Sequence, residues 1–471
     1  MSSKHTHLRR RALVVALSSL VLSGAAFAGD RVNVTGLSNN EPVDGFIVTY
    51  REGSASKSSA LNQQRALNQA ASRVFGRTKP LTLKRERTLG IGAELVVTNR
   101  ALDRVDAESL MRQIAVNPDV EYIEPNIRLY TTLTPNDTFF NLQYGFQSGV
   151  GGSNADQAWN LGFLGAGKIV AVIDTGYRPH VDLNANIING YDFISNIATA
   201  NDGNGRDASA LDPGDWSTAG QCYAGSPASN SSWHGTHVAG TVAAVTNNAA
   251  GVAGMAFNAK VLAVRALGRC GGTLADIADA VTWSSGGTVA GVPAVGANKA
   301  SVINMSLGGG GVCTATSAMQ VAINGAIARG TTVVVAAGNS NANVSGFIPA
   351  SCTGQGLIVV GATDSAGAKA GFSSYGAGVD VSAPGVNIAS TLNAGTTVPG
   401  ADNYVYYSGT SMASPHVAGL VALMHSKPSA DCLPAACESI IKANTKPFGV
   451  APPQPIGTGI IDALKTLNAT P

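Results

Sequence analysis

Lys168-Ile169-Val170-Ala171-Val172-Ile173-Asp174-Thr175-Gly176 reads as a strand that runs into a carboxylate and a tight turn. The strand 168–173 shows no polar–apolar alternation. A strand with one wet face alternates, whereas a strand buried on both faces does not, and such strands belong to parallel sheets held between helix layers. The theme recurs at Val261-Leu262-Ala263-Val264, Val302-Ile303-Asn304-Met305, Thr332-Val333-Val334-Val335 and Leu357-Ile358-Val359-Val360, each time with a small-residue turn and a helical stretch nearby. The expected fold is α/β, three layers with a central, mostly parallel sheet. In such sheets the working residues gather outside the carboxyl ends of the strands.

Composition separates this unit from what precedes it. The chain has 471 residues, with 31 Lys+Arg against 29 Asp+Glu, 45% hydrophobic residues and 56 glycines. A net charge of +2 gives no basic surface for nucleic acid. Residues 29–130 carry 14 Lys/Arg and 12 Asp/Glu, while residues 131–471 carry only 13 and 17, with Glu438 the sole glutamate. A change this sharp marks two folding units. In the first, 43–50, 94–97 and 120–125 read as strands, and 57–75 and 106–114 as helices, giving a small α+β unit. Residues 131–154 read as a Gly/Asn/Thr/Ser-rich linker, and 155–471 as the large domain.

Residues 1–28 have the parts of a secretory signal: Arg9-Arg10-Arg11, an apolar run from Ala12 to Leu22, and Ala26-Phe27-Ala28. The run is short for a bilayer span, so the expected product is secreted, extracellular and not membrane-bound. Cys222, Cys270, Cys313, Cys352, Cys432 and Cys437 all lie in the large domain. An even count in an exported chain favours disulfides, and their spacing fits no zinc pattern. Six cysteines allow 15 connectivities; sequential pairing, 222–270, 313–352 and 432–437, is the expectation.

Four polar residues fall where the sheet would gather them. Asp174 follows the first strand, His234 opens a helical run in Ser232-Trp233-His234-Gly235-Thr236-His237-Val238-Ala239-Gly240, and Asn339 follows Ala336-Ala337-Gly338. Ser411 opens another helix in Ser408-Gly409-Thr410-Ser411-Met412-Ala413-Ser414-Pro415-His416-Val417-Ala418-Gly419. A serine hydroxyl becomes nucleophilic when an imidazole takes its proton. A carboxylate on the other ring nitrogen sets the tautomer and stabilises the imidazolium. The Asn339 amide and the Ser411 backbone N–H could hold an oxyanion.

Three blocks, Asp-Thr-Gly, His-Gly-Thr-His-Val-Ala-Gly and Gly-Thr-Ser-Met-Ala-Ser-Pro-His, in the order Asp, His, Ser over 238 residues, resemble the subtilisin-like serine proteases (subtilases). The resemblance covers roughly residues 155–467, and the first unit is similar to that family's inhibitory propeptide. It implies a secreted serine endopeptidase, made as a self-processing zymogen, that cleaves proteins and peptides through an acyl-enzyme. Asp174, His234 and Ser411 would form the triad and Asn339 the oxyanion hole. Ser306, Leu307 and Gly308 would pair with substrate along one edge, and Gly271 and Gly272 along the other. Ala336, Ala337 and Gly338 would wall the pocket before the scissile bond, with Phe347 near its base. His237, His416 and His180 are read as packed helix residues; a metal reading of His234-x-x-His237 lacks its glutamate.

The resemblance also implies structural Ca²⁺ at Asp182, Asn247 and Asn248, with no cofactor for catalysis. The acidic insert 201–215, including Asp202 and Asp207, would form a second ion site or a solvated turn. The expected partners are substrates and the chain's own propeptide, with the enzyme a monomer. Two other readings are weaker. A catalytically silent binding protein on the same scaffold would need a substituted catalytic position, and none is. An α/β-hydrolase esterase would need Gly-x-Ser-x-Gly around Ser411.

Overall fold

The computed structural model describes residues 31–37, 42–76, 80–127, 133–427 and 432–471. The signal segment 1–28 lies outside the described residues. The chain divides into two compact units, 1–128 and 129–471.

The first unit holds β1 (Val43–Tyr50), α1 (Ala60–Phe75), β2 (Leu83–Thr88), β3 (Glu94–Leu102), α2 (Arg104–Ile114) and β4 (Val120–Pro125). Its strands form an antiparallel sheet in the order β2-β3-β1-β4. Ser59 and Asp103 start the helices by accepting from the backbone N–H of Asn62 and Asp106. Phe46, Val48, Leu67, Leu110, Met111 and Ile123 close its core.

In the second unit β5 (Ile169–Asp174), β6 (Ile187–Asp192), β7 (Lys260–Arg265), β8 (Val302–Met305), β10 (Thr332–Ala336), β12 (Leu357–Thr363) and β13 (Val381–Pro384) build one sheet. Its order is β13-β12-β10-β8-β5-β7-β6, with every neighbouring pair parallel. The five strands expected from unalternated apolar runs are all present; β6 and β13 are additions. Period-2 geometry sends alternate residues to opposite faces. Val170, Val172, Val334 and Val360 pack with helices His234–Ala243 and Thr410–His425. Ala171, Ile173, Val333 and Val335 pack with helices Leu274–Ser284 and Ala318–Ala328. This is the three-layer α/β arrangement.

Two small ribbons complete the unit: β9 (Gly309–Gly310) with β11 (Phe347–Ile348), and the hairpin β14 (Ile388–Asn393) with β15 (Asp402–Tyr407). Where a linker was expected, residues 133–154 pack into the large unit. Phe140 and Phe146 pack at tilted angles against Trp159, and the Gln143 side chain donates to the carbonyl of Ala253. These side chains bury apolar area that a free linker would leave in water. Three disulfides join Cys222 to Cys270, Cys313 to Cys352 and Cys432 to Cys437, the sequential pairing.

Candidate active site

Asp174 is the last residue of β5, which ends one place later than expected, and is fully buried. Its Oδ1 accepts from the backbone N–H of Thr175 at 2.8 Å. The turn Asp174-Thr175-Gly176 then meets the start of helix His234–Ala243. A Cβ on Gly235 would collide with the carbonyl of Gly176, and one on Gly176 with that of Ala210. Glycine at 235 lets the helix come close enough for His234 Nδ1 to reach Asp174 Oδ1 at 2.8 Å and Oδ2 at 3.0 Å. The gap between strand and helix is further held by Gly235 N–H donating to Thr175 Oγ1 at 3.0 Å.

His234 is 22% exposed at its side chain, enough to be reached from the cleft. Burial opposes a charged imidazole, but the Asp174 carboxylate and its hydrogen bond, helped by Asp215 and Asp212, outweigh it and raise the pKa. Asp212 is itself pushed up to about 7 by burial and by the neighbouring Asp215. His237, one helical turn on, is fully buried; burial and the nearby His234 push it down to about 3. Its Nε2 lies 3.0 Å from the carbonyl of Ile388, so it is a packed, neutral histidine, as expected. Buried His416 is held down to about 4 by burial, in helix Thr410–His425. His180 departs from expectation: it is buried in a turn, not a helix, because its Nδ1 accepts from the N–H of Asp182.

Ser411 stands second in helix Thr410–His425, whose start is capped by Asn339. Asn339 Oδ1 accepts from Thr410 N–H at 2.8 Å and from Thr410 Oγ1 at 2.9 Å. With its oxygen committed, Asn339 leaves its Nδ2 as the free end, lying 3.3 Å from where a Cβ on Gly409 would sit. Pro415 supplies a second constraint, because it has no N–H to bond the carbonyl of residue 411 four places back. Ser306 Oγ donates to that carbonyl instead, at 2.7 Å. Ser411 Oγ in turn donates to the carbonyl of Ser306 at 3.1 Å, so the hydroxyl must rotate before it can donate to His234. Catalytic hydrogen bonds often tighten only once substrate is bound.

His234 and Ser306 line one cavity of about 370 Å³ with Asp215, Ser232, Gly271 and the Cys222–Cys270 bridge. Gly271, Gly272, Leu307 and Gly308 line a second, of about 470 Å³, and so face each other across one groove. Leu267, Leu274, Ile277 and Ile348, which the motifs did not single out, supply its apolar wall. Ala336 ends β10, and Ala337 and Gly338 lead from it to Asn339, with Gly338 N–H donating to Thr410 Oγ1 at 3.0 Å. Phe347 is half-buried in β11, its backbone in register with Gly310.

The residues expected around calcium divide. Asp182 is fully buried; Asn248 Nδ2 donates to its Oδ1 at 2.6 Å and Val252 N–H to its Oδ2 at 2.8 Å. Burial pushes its pKa up to about 6. Asn247 donates its N–H to Asp137, whose other oxygen is buried without a hydrogen-bond partner. Two buried carboxylates, amides and an orphaned oxygen fit a hard cation. Asp137 was missed because it lay in the apparent linker, forty-five positions from Asp182.

Asp202 and Asp207 do not share a ligand set. Asp202 pairs with the buried Arg265 guanidinium at 2.9 Å, alongside Asp192. Asp207 accepts from Asn204 Nδ2 and from Ser209 N–H, both at 2.6 Å. A protein cation therefore stands where an ion was expected beside Asp202. Among the described residues the one group of three potential ligands is His425, Cys432 and Cys437, and its two sulfurs form a disulfide.

Residues 165–454 match the model of the subtilase family, peptidase S8. The chain belongs to the subtilase family. This subtilase is a subtilisin-like serine endopeptidase. It is 55% identical over 455 residues to the "Extracellular protease" of Xanthomonas campestris pv. campestris, across 96% of this chain and 77% of that protein. It is 41% identical to the "Extracellular basic protease" of Dichelobacter nodosus, across 90% and 70% respectively. A solved protease of Pseudoalteromonas arctica PAMC 21717 superimposes with a TM-score of 0.69 at 51% identity, covering 72% of this subtilase and all of that chain.

Proposed function

We propose that this subtilase is a secreted endopeptidase that cleaves protein substrates with Asp174, His234 and Ser411, and that it matures by removing its own first unit. The observation that carries the reading is the pairing of His234 Nδ1 with the buried Asp174, which leaves Nε2 as the base for Ser411. Ser411 Oγ gives its proton to Nε2 as it attacks the scissile carbonyl. The carbonyl oxygen, now negative, lies between Asn339 Nδ2 and the Ser411 backbone N–H. His234 then returns the proton to the leaving amine and an acyl-enzyme remains on Ser411; water, giving a proton to His234, attacks the acyl carbon, and Ser411 Oγ leaves with that proton as the acid product is released.

The glycine edges 271–272 and 308 support binding of an extended peptide as an added strand, since neither edge carries a side chain to block backbone approach. The names of the two relatives support export, as do the parts of a signal in residues 1–28. The compact first unit, with its own core, suits an inhibitory propeptide cut within 125–140. Asp137, Asp182 and Asn248 would hold a structural Ca²⁺, which ties the segment 133–154 to the loop after helix His234–Ala243 and contributes stability rather than chemistry.

The test compares wild type with Ser411→Ala on a denaturing gel beside a casein assay. Only the wild type should shorten by about 100 residues and clear casein. Equal maturation and digestion by Ser411→Ala would remove Ser411 as the nucleophile.

A further inference from the structure

The residue before the catalytic histidine is the least expected feature of the site. Trp233 is a bulky side chain, 1% exposed, whose backbone sits in the left-handed region at φ 49° and ψ 30°. Left-handed backbone costs a non-glycine residue on the order of 1–3 kcal/mol and persists only where surrounding structure enforces it. Here the enforcement comes from the hairpin β14–β15, distant in sequence. The indole N–H of Trp233 donates to the carbonyl of Gly395 at 2.6 Å. Ser231 donates its N–H to the carbonyl of Thr396 at 2.7 Å and its hydroxyl to that of Thr397 at 2.6 Å. The carbonyl of Ser232 accepts from Tyr407 Oη at 2.9 Å.

Three consecutive residues thus grip one hairpin, and the fourth is His234. The hairpin loop is itself braced. Asn393, 4% exposed, donates Nδ2 to the carbonyl of Gly400 at 2.9 Å, and its Oδ1 accepts the N–H groups of Gly395 and Gly400. Gly395 must be glycine, because a Cβ there would collide with the carbonyl of Val398. Trp233, Asn393 and Gly395 do not line the cavity that holds His234.

We infer that Trp233 is a positioning residue: the loop between β14 and β15 holds it in a strained backbone that sets the entry of helix His234–Ala243 and hence the placement of the His234 ring between Asp174 and Ser411. The inference rests on His234 being the catalytic base. Strain at this position is stored against the hairpin, so loosening the hairpin lets the helix start relax and the imidazole drift. A drift of an ångström in a catalytic group costs up to about 100-fold in rate.

The experiment measures kcat and KM on a short chromogenic peptide across pH, with active enzyme counted by phosphonyl labelling of Ser411. Trp233→Phe removes the N–H and keeps an aromatic body. Trp159→Phe is the control, since Trp159 is equally buried and its indole N–H also donates to a carbonyl, that of Met255 at 2.9 Å, in the core. Asn393→Ala loosens the hairpin loop and leaves Trp233 intact, and it decides the matter if Trp233→Phe folds poorly.

Trp233→Phe should lower kcat about 10- to 100-fold, keep KM within about twofold, and move the acid limb of kcat/KM to lower pH as the Asp174 contact weakens. Asn393→Ala should act in the same direction with a smaller loss, and Trp159→Phe should lower Tm with kcat unchanged. Equal kcat and pH profiles for Trp233→Phe and Trp159→Phe, or no change in Asn393→Ala, would overturn the inference. Activity surviving in Ser411→Ala would instead overturn the proposed mechanism, so the two failures are distinct.

Discussion

Replacing Asn339 separates the helix cap at one end of its amide from the oxyanion contact proposed for the other. Its Oδ1 caps helix Thr410–His425 through two contacts at 2.8 and 2.9 Å, and its Nδ2 is the free donor beside Gly409 and Ser411. Asn339→Asp keeps an oxygen for the cap, at a helix start that favours negative charge, and loses the donor. Asn339→Ala loses both. Removing one oxyanion donor costs about 2.7–4 kcal/mol, or 100- to 1,000-fold in kcat, a range that comes from a subtilisin and so transfers within the family. KM should barely move, because the contact forms only as charge develops on the carbonyl oxygen.

Losing the cap costs about 1 kcal/mol, which in a domain of this size lowers Tm by about 2 °C. Both variants should therefore lose kcat by at least 100-fold, but only Asn339→Ala should melt earlier. The assay is peptide hydrolysis per Ser411 titrated, with melting of the phosphonylated enzyme so that autolysis does not intervene. Asn339→Asp retaining kcat within about threefold would refute the oxyanion role, and equal melting of the two variants would refute the cap.

Two further outcomes follow from the electrostatics. Because His234 has a raised pKa and must be neutral to accept the Ser411 proton, activity should fall as pH drops through a value above that of an ordinary histidine. Asp215→Asn removes one of the charges holding that proton, so the acid limb should move to lower pH; a limb that stays or rises contradicts the assignment. Chelation should lower the melting temperature of the wild type by a few degrees, since Ca²⁺ at a hundred times its Kd adds about 2.7 kcal/mol by mass action. Asp182→Asn should melt at the same temperature with and without chelator, and a shift of the wild-type size in that variant would place the ion elsewhere.

Much of the candidate site was legible because chemistry and local structure demand the same residues. A carboxylate at a strand end, a histidine and a serine each opening an apolar helix, and small residues beside them are written within single blocks such as 174–176 and 234–240. The hairpin β14–β15 was not legible. Its Ser390 and Thr391 look like a polar surface run, yet their hydroxyls are buried donors to the carbonyls of His237 and Thr236, filling gaps that helix His234–Ala243 leaves. The acidic insert misled for a related reason: whether Asp202 meets an ion or a guanidinium depends on Arg265, sixty-three residues away on β7.

The sequence by itself determined what could be read from period and residue type: strands buried on both faces, the parallel sheet between helices, and an aspartate, a histidine and a serine, in that order, at a strand end and two helix starts. Only the tertiary structure decided which distant partners each group met. It put Asp137 with Asp182, Arg265 with Asp202, Ser306 on the carbonyl that Pro415 leaves free, and Gly395 on Trp233. The physical reason is that local pattern reflects the backbone hydrogen bonding and apolar burial of each segment. A buried polar group is satisfied by whatever donor or acceptor the fold brings within hydrogen-bond distance, wherever along the chain that partner lies.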